Sequence, residues 1–335
     1  MKNDENKKMK FTEAEKQLLI VMGYFKEGDN PDKKTLEEFG KRNIGEYLAP
    51  WDEAYTTLTK NGLLQKKGNI YSLTDLGDIH RKVIERDNPL WLYEYNMYFA
   101  RAEKSEAHKI FCEKVYGKDL CQHGTADVTQ LTKLLDVLQL SEDNSVLDLG
   151  CGNGMITEYL SDVSGASFTG IDLSEEAIKQ AQKRKKKNLH FQVGNMYCLD
   201  FDENSFDAVI SIDTLYFVDI QEVITQLLTI VKLHGQMGIF FTQWIDDDTE
   251  KEMLLPANTE LAEVLNRHNL EYRTVDFTKE EEEHWQKKVR ILKELKPKFE
   301  KEGNLTLYEY RYEEAQYYKE WDSQKRSRYL YHIQV

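Results

Sequence analysis

The chain of 335 residues contains only five prolines and no Pro- or Ser-rich stretch that would act as an extended linker. Its four cysteines, Cys112, Cys121, Cys151 and Cys198, form no C-x-x-C pair. That argues against a zinc site or a disulfide framework, so no metal ligands are assigned, and reduced thiols in a cytoplasmic protein are expected. No run of 18 apolar residues occurs, so no membrane-spanning helix is expected. The opening MKNDENKKMKF lacks the apolar core of a secretion signal. A basic excess is missing too: 45 Lys+Arg stand against 59 Asp+Glu, a net charge of −14. Nucleic-acid binding needs several phosphate-neutralising cations on one face, so that class is disfavoured. What is present is core-forming material. The chain is 40% hydrophobic, with 19 Tyr, 14 Phe and 5 Trp, too aromatic for a disordered polymer and long enough for about two domains.

Three blocks are expected: 10–88, 89–140 and 141–335. In the first, Thr12 precedes a helix carrying Leu18, Leu19, Val21, Met22 and Phe25 on one face. Helices around Thr35–Arg42 and Glu46–Asn61 follow, the latter stopped by Asn61-Gly62. The segment LLQKKGNIYSLT reads as a hairpin around Lys-Lys-Gly-Asn, and a helix at Asp75–Glu85 closes the block. This order, with NGLLQKKGNIYSLTDLG at its wing, resembles a winged helix. Such modules bind DNA or mediate dimerisation. Residues 1–88 hold 16 basic and 16 acidic residues, and the third helix opens with Asp52 and Glu53. A structural role, with homodimerisation through this unit, is therefore expected. The second block is helical and aromatic (Trp91, Tyr93, Tyr95, Tyr98, Phe99, Phe111, Tyr116). A helix around Val128–Leu138 leads into the third block, where strand and helix patterns alternate, as parallel strands with crossover helices require.

The sharpest pattern is SVLDLGCGNGM at 145–155. A buried strand meets a turn with glycines at 150, 152 and 154, then a helix. The glycines permit a tight turn and close ligand approach, and the helix N-terminus offers free N–H groups. A dinucleotide site needs G-x-G-x-x-G/A, whose third small residue would fall at Met155. The spacing is instead G-x-G-x-G, with Asp148 ahead of the first glycine. This D-x-G-x-G-x-G pattern resembles motif I of the class I S-adenosylmethionine-dependent methyltransferases. Strand SFTGIDLS ends at Asp172, placed to accept hydrogen bonds from ribose hydroxyls. Strand LHFQVGN carries Asn195 where that family commonly has an acid that reads the adenine amino group, with Met196 beside it. The strand ending at Ile212, within FDAVISIDTLYFV, matches the family's fourth, whose end borders the transferred methyl.

The resemblance implies an α/β fold: a Rossmann-like seven-stranded methyltransferase sheet of order 3-2-1-4-5-7-6 with strand 7 antiparallel. An N-terminal winged-helix domain and a helical insertion at about 279–322, before the last strand, complete it. The implied cofactor is S-adenosyl-L-methionine, yielding S-adenosyl-L-homocysteine. It would be held by Asp148, Gly150, Cys151, Gly152, Asn153, Gly154, Asp172, Leu173, Asn195, Met196 and Ile212. EKVYGKDLCQHG resembles the N-terminal cap of small-molecule methyltransferases, which adds Tyr116, Gln122 and His123. Lys183–Lys187 reads as the basic end of the second crossover helix.

The acceptor is expected beyond the carboxyl ends of the strands. Asp213 is the candidate base or anchor for a substrate cation, and Tyr216 is a second catalytic candidate. The insertion's aromatics, including Trp285, Tyr308, Tyr310, Tyr312, Tyr317, Tyr318 and Trp321, form either packing or a wall for a cation. Phe217 stands where the phosphoethanolamine enzymes place a histidine. A small-molecule acceptor is expected, with an amine preferred over oxygen or sulfur. A nucleic-acid methyltransferase or regulator is the competing class, but it lacks a basic surface and the [DN]PP[YF] motif.

Overall fold

The computed structural model describes residues 9–26, 28–320 and 324–335. The chain divides into two compact units, Met1–Met97 and Tyr98–Val335. The division falls later than the expected boundary at 88, and everything from Tyr98 of the expected connector 89–140 belongs to the second unit.

In the first unit, Thr12 and Glu15 form a reciprocal capping box at the start of α1 (Glu13–Met22), and Asp32 caps α2 (Lys33–Asn43). The helix expected from Glu46 begins only at Asp52: α3 spans Asp52–Lys60. Pro50 lacks an N–H and disfavours a helical Ala49, so Gly45–Tyr47 forms only one short 3-10 turn. β1 (Leu64–Lys67) and β2 (Ile70–Leu73) pair antiparallel with Lys67 opposite Ile70. The turn is therefore Gly68-Asn69 alone. α4 (Asp75–Asp87) follows, capped by Thr74. Leu18, Leu36, Leu58, Leu63 and Tyr71 lie in the shared core.

α5 (Trp91–Ala102) precedes α6 (Glu106–Tyr116) and α7 (Val128–Leu138). The alternating block then unfolds as β3 (Ser145–Leu149), α8 (Met155–Ser164), β4 (Ser167–Asp172), α9 (Glu175–Ala181), β5 (Leu189–Val193), β6 (Phe206–Ile212) and α10 (Ile220–Ile230). β7 (Val231–Trp244), α11 (Glu260–Arg267) and β8 (Glu271–Asp276) follow. The insertion is α12 (Thr278–Lys301) and α13 (Leu305–Lys319), and β9 (Arg326–Gln334) ends the sheet. Of the insertion's expected aromatics, Trp321 lies outside the described residues.

The sheet order is β5-β4-β3-β6-β7-β9-β8, and β9 runs antiparallel to both its neighbours. In order of appearance this is 3-2-1-4-5-7-6, the expected topology. β3 and β6 sit at its centre and read as near-continuous apolar runs, as strands covered on both faces must. Carboxyl ends of β3, β4, β5 and β6 thus share one edge.

Strand β7 carries a bulge near its start, with Val231 opposite Phe206 and Gln236 opposite Ala208. One local expectation is corrected. The basic run after α9 is not a helix end, because α9 stops at Ala181. Lys183 pairs with Glu103, Arg184 with Glu158, and Lys186 with Glu158 and Asp162, so neighbouring acids hold the chain in a turn.

Gly238 of β7 marks the seat of α7 on the sheet: a Cβ there would meet Leu134 Cδ1 at 2.5 Å. Gly238→Val is expected to lower unfolding free energy by about 1–3 kcal/mol through overpacking, read by urea denaturation. An unchanged midpoint would contradict this seating.

Candidate active site

The turn after β3 is built around left-handed glycines, with φ of 75° at Gly150, 55° at Gly152 and 75° at Gly154. A side chain at Gly152 would crowd Phe99. Gly154 occupies the N-cap of α8 and has no side chain to cap it, while the Asn153 side chain accepts from Met155 N at 3.4 Å. Gly150 and Cys151 donate their N–H groups to Ile171 O at 2.8 and 3.0 Å. Asp172, at the end of β4, accepts from Gly152 N and Ser174 N, each at 2.8 Å. Arg184, which the sequence pattern gave no role, donates to Asn153 O at 3.0 Å and buttresses the turn.

Asp148 lies beneath this turn, 3% exposed, accepting from Thr157 Oγ1 at 2.6 Å. Burial pushes its carboxyl up to about 7, against the Thr157 hydrogen bond. Leu173 follows Asp172 in the bend before α9. Asn195 bridges to Cys198, and its side chain accepts from Tyr197 N at 2.9 Å. Met196 Cε approaches Gly150, and Ile212 ends β6. The candidate cofactor residues of the sheet therefore converge on one edge.

Tyr116, Gln122 and His123 form a second group on the loop after α6. The Tyr116 hydroxyl donates to Gly124 O at 3.0 Å. The Gln122 side chain accepts from Leu120 N at 3.0 Å, while its buried Nε2 has no hydrogen-bond partner. His123 Nε2 meets the Tyr310 hydroxyl at 2.8 Å. Arg311 of α13 clamps this loop: fully buried, it donates to His123 O at 3.0 Å, to the Tyr116 hydroxyl at 2.9 Å and to Gln122 O at 3.3 Å. Loop and glycine turn also approach each other at the Cys121 thiol, which burial pushes up and the nearby Asn153 side chain pulls down.

Asp213 joins these parts. It has a left-handed backbone, φ 60°, which a non-glycine residue keeps only when its surroundings hold it there. Arg328 of β9 pairs with both carboxylate oxygens. Thr125 N donates to Oδ2 at 2.9 Å and the Tyr216 hydroxyl to Oδ1 at 2.7 Å. Arg328 is fully buried and also donates to Gln130 and Thr242. A side chain at Gly124 would overlap Asp213 Oδ2. Burial opposes the Asp213 charge, but Arg328 and the other donors outweigh it and hold the carboxyl below the ordinary aspartate range. Burial raises the Tyr216 hydroxyl well above its usual value. A carboxylate so paired is a weak proton acceptor, and a phenol so buried keeps its proton. The geometry thus gives Asp213 and Tyr216 an anchoring arrangement rather than that of a base.

Helix α12 contributes groups that went unassigned from sequence. Glu281, His284, Trp285 and Lys288 are buried on one face, with Val289, Leu292, Leu295 and Phe299 further along. Among the acids Glu280–Glu283 only Glu281 is buried, accepting from Thr242 and Trp285. The signal available in sequence was its spacing from Trp285 and Lys288, which puts all three on one helical face. The aromatic wall is partly spent on the protein itself: Lys288 Nζ lies 3.7 Å from the Trp285 ring centre, and Tyr318 stacks on that indole at 4.7 Å. Lys293 and Lys296 lie over Tyr312 and Tyr308.

Residues 146–235 match a family model described as a methyltransferase domain. A phosphoethanolamine N-methyltransferase of Plasmodium falciparum is 28% identical over 35% of this chain and 43% of its own length. The chain spans less than half the length of the first curated relatives it matches. Among solved structures, Haemonchus contortus phosphoethanolamine N-methyltransferase 2 in complex with S-adenosyl-L-methionine superposes with a TM-score of 0.59. It is 14% identical, over 84% of this chain and 73% of that one. The [4+2]-cyclase SpnF superposes with a TM-score of 0.57 at 14% identity, over 72% of this chain and 95% of that one. The domain has the class I methyltransferase fold, whose cofactor is S-adenosylmethionine. The likeness to a cyclase shows that the fold alone does not fix the reaction.

Breaking the Asp213–Arg328 pair tests the site's scaffold. Arg328→Met leaves a buried carboxylate uncompensated and is expected to cost about 3–5 kcal/mol in chemical denaturation. Arg328→Met combined with Asp213→Leu should recover part of that loss, because neither charge remains. Equal losses in the single and double variants would contradict the pairing.

Proposed function

We propose that this protein transfers a methyl group from S-adenosylmethionine to a small-molecule acceptor held between the strand ends and the helical insertion. The observation that carries this reading is the glycine turn with Asp148 below it and Asp172 beside it. Its left-handed glycines, the start of α8 and two carboxylates fit a zwitterionic tail and a ribose. The two carboxylates would repel a pyrophosphate placed beside them. Bound there, the cofactor supplies an electrophilic methyl on a sulfonium, and the protein's task is to align the nucleophile and exclude water. The loop held by Arg311 is suited to excluding water, and the Asp213–Tyr216 pair to fixing the wall where the acceptor docks.

An amine acceptor was favoured by the aromatic wall and by Asp213 as an anchor for a cation. Both have protein partners: Lys288 occupies a face of Trp285, and Arg328 holds Asp213. These contacts remove the specific argument for an amine over an oxygen or sulfur acceptor. For the first unit we propose a structural or dimerising role, in keeping with its balanced charge and the acids Asp52 and Glu53 at the start of α3.

Asp148 gives the cofactor reading a pH signature. With its carboxyl near 7 in the free protein, much of it is protonated below neutrality. A cationic amino group beside it favours the ionised form, so binding must expel that proton. S-adenosylmethionine affinity is expected to rise between pH 5 and 7, by up to about tenfold per pH unit, then level off. Asp148→Asn should bind more weakly and lose the pH dependence. Calorimetry in buffers of different ionisation enthalpy reads the proton release directly, and no binding at any pH would end the enzyme reading.

A further inference from the structure

The inward face of α12 changes character along its length. Beyond Lys288 it is apolar, as a helix packed on a core should be. Before that point it buries Glu281, His284 and Lys288, which is costly unless each finds a partner. Glu281 accepts two hydrogen bonds. Lys288 and His284 are less well served. Lys288 is 0% exposed, yet its ammonium makes one hydrogen bond, to Gly124 O at 3.1 Å. Among the described residues no carboxylate forms an ion pair with it. Asp213, Glu281 and Glu314 act on it only at longer range, and Arg311 opposes them. His284 is 5% exposed, and its Nε2 is buried without a hydrogen-bond partner. Both groups face the Tyr116 ring, the imidazole at 4.8 Å between centroids and the ammonium 5.6 Å from the centroid. The other two buried cations near Lys288 and Asp213 are engaged, Arg311 with Glu314 and Arg328 with Asp213.

The position of this pair matters as much as its unmet donors. Gly124 O accepts from Lys288, while a side chain at Gly124 would overlap Asp213. Lys288 therefore stands one residue's width across the loop from the end of β6. Trp244, at the end of β7, adds a further buried donor without a partner, its indole Nε1. Its ring lies 5.1 Å from that of Tyr216. The indole Nε1 is a donor, the Lys288 amine is a cation whenever it is protonated, and His284 Nε2 donates in the tautomer that carries its proton there.

We infer that Lys288 and His284 form an acid-recognition subsite that receives the carboxylate of the acceptor and holds its nucleophilic group toward the end of β6. This rests on the acceptor site proposed above. A carboxylate brings one negative charge to one unpaired cation and accepts from both donors. A phosphate monoester fits worse, because its second charge would face Asp213, Glu281 and Glu314. Burial, which pushes the Lys288 ammonium down to about 7, adds to the cost of leaving it without an anion.

The test uses the full chain saturated with S-adenosylhomocysteine and matched pairs of small acids and their amides: acetate with acetamide, benzoate with benzamide, 4-hydroxyphenylacetate and indole-3-acetate with theirs. Calorimetry is expected to show at least one acid binding about tenfold or more tightly than its amide, the scale of one charge-assisted hydrogen bond. Lys288→Met should erase that difference, with an unchanged far-ultraviolet circular dichroism spectrum reporting correct folding. Lys288→Arg should retain a preference for the acid. If no acid outbinds its amide, or if Lys288→Met keeps the preference, the subsite assignment is overturned. Failure of the wild-type protein to bind S-adenosylhomocysteine would instead overturn the cofactor reading, so the two failures are distinct.

Discussion

The ion pair between Asp213 and Arg328 is the constraint on which the site depends. It buries two charges, and such a pair stands only when its remaining hydrogen-bonding capacity is met. Here that capacity ties together four parts of the chain: Thr125 of the loop after α6, Gln130 of α7, Thr242 of β7 and Tyr216 beyond β6. The left-handed backbone at Asp213 is held by the same bonds. An antiparallel last strand is what makes the pair reachable, because β9 runs back along β7 and brings Arg328 opposite Thr242.

The insertion repeats this logic one layer further out. Arg311 reaches the carbonyls of Gln122 and His123, Lys288 reaches that of Gly124, and Lys287 donates to Val115 O. Long basic side chains from α12 and α13 thus hold a loop with little apolar content of its own. The loop in turn rests on the glycine turn through Cys121 and Asn153. Glycine turn, loop and insertion are therefore linked by polar contacts, and Lys288 and His284 lie where the insertion meets the loop.

How much of this was legible in the sequence follows from how local each signal is. The glycine turn and the strand order implied by family resemblance emerged where expected, as did the alternation of strands and crossover helices, because backbone requirements and hydrophobic periodicity act over a few residues. Long-range pairing was not visible. Arg328 and Asp213 lie 115 positions apart, and Arg311 and Tyr116 lie 195 apart. Glu281 was hidden among exposed acids, and Lys288 beside Lys287, since a charged run ordinarily marks a solvated face. The same ambiguity misplaced Lys183–Lys187, whose end of helix gave way to ion pairs with α8 and Glu103. Asp213 was read as a base or as an anchor for a substrate cation, and its partner Arg328, unseen in the sequence, occupies both carboxylate oxygens.

The most direct test of the account is a crystal structure with S-adenosylhomocysteine bound. The account predicts the homocysteine tail on the Gly150–Gly154 turn above Asp148, the ribose on Asp172, and the sulfur turned toward the region bounded by Asp213, Tyr216 and Lys288, with the Arg311 and Arg328 contacts intact. A ligand lying elsewhere, or a sulfur sealed away from that region by the loop at Gln122–Gly124, would contradict it.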